Sequence, residues 1–137
     1  QGLLKLRCLG FVPRNVLDLG SNKGTWTLEH LDIFPRSRFF MIDAEPWWRG
    51  WRELMSTGQV NATAAVLGTQ QQPIEWYAYS QLHTGSSIFK ENTRWYKDVS
   101  AQKRHSHRLD TLLERKAWPH EFDLVKMDVQ GSELDIL

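Results

Sequence analysis

Three observations predict an α/β fold with a mainly parallel sheet. Short apolar runs at residues 16–20, 38–42 and 122–129 alternate with stretches of helical character. The first run closes on glycine and passes directly into a helix start, the usual ending of a buried parallel strand. The chain has neither an internal repeat nor a low-complexity tract, and its 137 residues are 41% hydrophobic, enough for one cored domain.

The elements follow in order. Residues 1–13 form a short preface, either a helical turn or a strand, ended by Pro13. Val16-Leu17-Asp18-Leu19-Gly20 is the first strand, and Gly24-Thr25 opens a helix running to about Ile33, with Pro35 as its stop. Arg38 to Ile42 is the second strand, ending at Asp43-Ala44-Glu45-Pro46. A helix begins near Trp47 and sets Trp47, Trp51 and Leu54 on one face, leaving Trp48 off it; Gly58 ends it. Val60 to Leu67 is a third strand. After a turn at residues 68–73, Ile74 to Tyr79 alternates and is expected to hairpin back upon it. Residues 80–107 are polar and read as irregular. Residues 108–114 pass from a strand end into a short helix, residues 122–129 form another strand, and a helix starts at Ser132. Right-handed crossovers then place the first three strands side by side, with the last returning beside the first.

That last strand has no following segment to supply its next neighbour. The chain is therefore expected to be the front part of a longer domain, truncated after the fourth parallel strand. Seventeen basic residues against sixteen acidic ones leave no field to attract nucleic acid or an anionic membrane. No apolar run reaches the ~18–20 residues of a membrane helix. One cysteine, Cys8, excludes an intrachain disulfide and a multi-cysteine zinc site, and it reads as a small buried hydrophobe. The expected location is cytoplasmic.

Three constellations carry chemistry. Asp18-Leu19-Gly20-Ser21-Asn22-Lys23-Gly24 joins strand to helix through a D-x-G-x-x-x-G turn whose backbone N–H groups can meet a ligand. A dinucleotide fingerprint needs G-x-G-x-x-G, and Asn22 and Thr25 stand at its second and third glycines. The pattern suits a ligand with a carboxylate and an ammonium better than a pyrophosphate. Glu45 follows at roughly the 20-residue spacing of an acid that accepts from both ribose hydroxyls, with Asp43 on the same side. Asp128 ends the last strand and is the candidate general base, Gly131 permits close backbone approach, and Glu133 suits a first helical turn on electrostatic grounds alone.

These motifs, in order, with Arg108-Leu109-Asp110-Thr111-Leu112 between the second and third, resemble the FkbM family of S-adenosylmethionine-dependent methyltransferases over residues 16–137. Val125 to Leu134 is the most specific stretch. It is similar to the family's K-I-D-x-E-G-x-E pattern, with Gln130 in place of a glutamate. Ser86-Ser87 resembles the family's central serine pair. The resemblance implies a Rossmann-like class I methyltransferase fold, S-adenosyl-L-methionine as cofactor, and O-methylation of a hydroxyl on a sugar, glycan or secondary metabolite. It implies that Gly20, Ser21, Asn22 and Gly24 hold the methionine part, Glu45 the ribose and the stretch around Ala65 the adenine. Asp18 and Asp43 join the cofactor-binding set, and Asp128 sits near the methyl.

Two other classes compete: a catalytically silent Rossmann-like module binding a nucleoside or a partner protein, and an NAD-dependent oxidoreductase, against which Asn22 counts. His83, His105 and His107 are weaker proton acceptors. His105-Ser106-His107 points two rings one way but reads as polar surface or acceptor site rather than a metal site. Lys103 to Arg108 is a basic run that reads as a solvated loop.

Overall fold

The structure, a computed structural model, describes residues 2–78, 86–90 and 99–136. These form two compact units, one running to Ala64 and joined by Pro119–Met127, the other Ala65–Trp118 with Asp128 onward. His83 and Tyr79 lie outside the described residues.

In the first unit, the preface is helix α1 (Gly2–Cys8), which buries no residue. Cys8 is exposed, against the expectation of a buried thiol, because α1 lies at the core margin and turns Leu3, not Cys8, toward the core. Strands β1 (Asn15–Leu19), β2 (Arg38–Asp43) and β3 (Val60–Ala64) then alternate with helices α2 (Thr25–Leu31) and α3 (Trp48–Met55). Together with β7 (Leu124–Met127) the strands make a four-stranded parallel sheet in the order β3-β2-β1-β7, as the crossover rule predicts. In the register, Asp18 lies opposite Met41 on one side and Lys126 on the other. Val16, Leu17 and Leu19, and Phe39 to Ile42, are all buried, which is why these strands read as unbroken apolar runs rather than alternating ones.

One face of the sheet builds the core. Val16, Phe39, Met41 and Val60 pack with Phe34 and with Trp51 and Leu54 of α3. Trp47 joins that cluster from the position before the helix. It precedes α3 as its cap residue and packs at the core margin, with the Lys23 ammonium 4.9 Å from its ring centroid. Trp48 is exposed, as its spacing predicts. At the N-terminal ends of the strands, the Asp123 carboxylate accepts from the backbone N–H groups of Arg14 (2.7 Å) and Asn15 (3.0 Å), tying the entries of β1 and β7 together. These two amides hold the Asp123 carboxyl below its ordinary range.

The second unit departs further from expectation. The run from Val60 to Leu67 divides at Ala65: β4 (Val66–Leu67) belongs to a separate three-stranded sheet with β5 (Gln72–Tyr77) and β6 (Ala101–His107). Its order is β4-β6-β5, so β5 does not hairpin onto the strand before it. Instead β6, inside the stretch read as irregular, inserts between them, parallel to β4 and antiparallel to β5. Lys103, Arg104 and His105 concealed that strand, since charge depresses an apolar reading while six of its seven residues stay outside the core. Trp76 is buried under the Arg104 guanidinium, 5.6 Å from its ring. Helices α4 (Leu109–Lys116) and α5 (Glu133–Ile136) follow where the sequence places them.

Gly24 is the tightest point of the first unit. Its φ is +83°, and a Cβ there would stand 2.5 Å from Leu54 Cδ1 and 3.0 Å from Met41 Cε. Gly24→Ala should cost about 1–3 kcal/mol in urea denaturation; an unchanged midpoint would show that α3 yields freely.

Candidate functional site

The turn after β1 is shaped by residues that can adopt left-handed backbone: Gly20 (φ 71°), Asn22 (φ 48°) and Gly24 (φ 83°). The N–H groups of Gly20 (2.9 Å) and Ser21 (3.3 Å) both donate to the Ile42 carbonyl at the end of β2. Gly24 N–H donates to Ser21 O at 2.8 Å and closes the turn. The Trp51 indole N–H reaches back from α3 to Asn22 O at 2.8 Å. Three holds, one internal and two from β2 and α3, thus fix the loop.

Asp43 supplies a fourth hold. Its Oδ2 accepts from Asn22 N–H at 2.7 Å and its Oδ1 from Glu45 N–H at 2.8 Å. One carboxylate therefore ties the loop after β1 to the loop after β2, bringing Gly20, Ser21, Asn22, Gly24, Asp43 and Glu45 together at the C-terminal ends of adjacent strands. Ligands of open α/β sheets bind at such ends.

Asp18 is wholly buried beneath this turn. Its Oδ2 accepts from the Thr27 hydroxyl at 2.8 Å. Its Oδ1 lies 3.0 Å from the Lys126 ammonium, an ion pair without an aligned hydrogen bond. Lys126 Nζ directs its close hydrogen bond, 2.7 Å, to the carbonyl of Gly20. Lys126 and Thr27 were not singled out from the sequence, although a lysine amid the apolar run of β7 was a signal. Its meaning emerges only from the register that sets it opposite Asp18.

Ser21 bears on whether the turn fits a polar ligand. Its side chain is 4% exposed, and Oγ has no partner among the described residues. A buried hydroxyl without a partner is costly unless a ligand or water satisfies it. This turn therefore suits a polar group such as an amino-acid moiety.

Asp128 and Ala65 belong to the second unit. Ala65 is buried between β3 and β4 in the chain. Asp128 immediately follows β7 and is exposed, with the Gln130 amide 3.4 Å from Oδ1. The following turn is built tightly: Gln130 has φ 54° and Gly131 φ 93°, and Ser87 Oγ donates to Gln130 O at 3.2 Å. Glu133 accepts from Val129 N–H at 3.2 Å, a local capping arrangement. Of the histidines, His105 is exposed and His107 half-buried on β6. Burial, then Arg115 and His105, push the His107 imidazole below its ordinary value. Asp110 forms an ion pair with Arg108.

With this geometry, the sequence profile of the methyltransferase FkbM domain matches residues 18–137, and the chain belongs to that family. No curated protein and no solved structure matches it. The parallel sheet flanked by helices agrees with a Rossmann-like methyltransferase fold. Among the described residues, no helix is long and apolar enough to cross a membrane.

Burial pushes the Asp43 carboxyl above its ordinary 3.8, and the amides of Glu45 and Asn22 offset only part of this. The folded chain keeps this proton to higher pH than the unfolded chain does. The stability gained is full below the unfolded value and is lost as pH rises through the raised one. Relative to Asp43→Asn, the wild-type chain should lose stability as pH rises above 3.8. Denaturation curves that stay parallel across that range would contradict it.

Proposed function

We propose that this chain binds S-adenosyl-L-methionine at the turn of residues 20–24 and the loop of residues 43–45, and serves O-methylation of a hydroxyl on a sugar, glycan or secondary metabolite. The observation that carries the reading is the double hold of Asp43 on Asn22 and Glu45, which presents turn and acid together at the ends of β1 and β2. The partnerless Ser21 hydroxyl supports an amino-acid moiety at the turn, and membership of the methyltransferase family supports the donor.

When bound, the cofactor supplies an activated methyl on a sulfonium, and in-line transfer asks the protein chiefly for alignment. In this reading Glu45, whose backbone N–H is held by Asp43, accepts from the ribose hydroxyls. Ala65, small and buried, suits the side of a flat base. Asp128, an exposed carboxylate on a turn fixed by Ser87 and Glu133, is the group to take the acceptor's proton, with His105 and His107 as weaker alternatives. The acceptor is the one partner this reading requires.

Calorimetric titration with S-adenosylmethionine, with NAD as control, tests the reading; selective uptake of the former is expected. Glu45→Ala should weaken that binding by about 10–100-fold through lost charge-assisted hydrogen bonds. Equal affinity would remove Glu45 from the site. Asp128→Asn should lower turnover by roughly 10²–10⁴-fold with cofactor affinity retained. Undiminished turnover would exclude Asp128 as the base.

A further inference from the structure

The Gly20 carbonyl and the Ser21 N–H belong to one peptide unit, and both ends of that unit are held. Lys126 Nζ donates to the oxygen at 2.7 Å, while the N–H donates to Ile42 O at 3.3 Å. Gly20, at φ 71°, carries no Cβ to resist rotation of this peptide, so the chain itself offers little preference between its two faces. A flip would exchange donor for acceptor at the point where the loop begins.

We infer that Lys126 is a positioning residue for the cofactor, locking the Gly20–Ser21 peptide in one orientation so that the turn presents a fixed polarity to the ligand. This rests on the cofactor reading above. The ammonium is anchored for the task. Its side chain is 20% exposed, Asp18 is fully buried beside it, and Thr27 occupies the second carboxylate oxygen. Asp18 thus acts through Lys126: it keeps the ammonium aimed, and Lys126 orients the peptide. An uncharged side chain of the same length fills the space but cannot donate to the carbonyl.

The test uses S-adenosylhomocysteine titrated into the wild-type chain, Lys126→Met, and Asp18→Asn/Lys126→Met, with hydrogen exchange of the Ser21 amide followed in each by NMR. The double variant leaves no buried charge unpaired and keeps the comparison among folded proteins. Both variants are expected to bind about tenfold or more weakly, with Ser21 exchange accelerated. Wild-type affinity in the folded double variant would overturn the inference, since only charge balance would then have mattered. If the wild-type chain fails to bind, the cofactor reading fails and the positioning role with it. Ser21 exchange then judges the peptide lock alone, acceleration upholding it and unchanged exchange removing it as well.

Discussion

A carboxylate removed from water must find compensation within the protein, because its desolvation cost exceeds most single contacts. Asp18 is the most demanding such group in the first unit, and much of the unit's upper end is arranged around it. The Thr27 hydroxyl fixes α2 against β1, and the Lys126 ammonium fixes β7 against β1. Through Lys126 the same charge reaches the Gly20 carbonyl. One buried side chain thereby joins a helix, two strands and the start of the turn.

The second hold on the turn differs in kind. Asp43 gathers backbone amides rather than a cation, so its carboxylate is solvated by the chain itself. Asp18 braces the turn from below through β7, while Asp43 links it sideways to the loop after β2. Trp51 adds a third brace from α3, uniting the hydrophobic core with the loop through one indole N–H. A loop held from several directions loses little further entropy on binding, which is the general advantage of a pre-organised site.

Much of this was legible in the sequence. β1, β2 and the turn between β1 and α2 announce themselves because buried parallel strands must be apolar throughout and the turn needs glycine. The sheet order followed from crossover handedness. What stayed hidden depends on long-range pairing. β6 is a charged strand stabilised by two neighbours, β4 and β5, both of which lie well before it in sequence. The break at Ala65 is equally silent, since Val60–Leu67 is a plausible single strand until two sheets compete for it. Among the candidate site residues, Gly20, Gly24 and Glu45 could be read locally. The part played by Lys126 could not, because it is defined by a register over a hundred residues removed in sequence.

Each compact unit is assembled from two separate stretches of chain, interleaved in sequence. During synthesis, β1 emerges early with β2 as a neighbour, but its other edge waits for β7, which the ribosome delivers only after all of β4, β5, β6 and α4. Until then Asp18 has no ammonium, and the flank of β1 is an open strand edge able to pair with another nascent chain. The counter-charge that completes the turn is therefore made only after the strands of the second unit. Translation speed through the second unit would set how long that edge stays exposed.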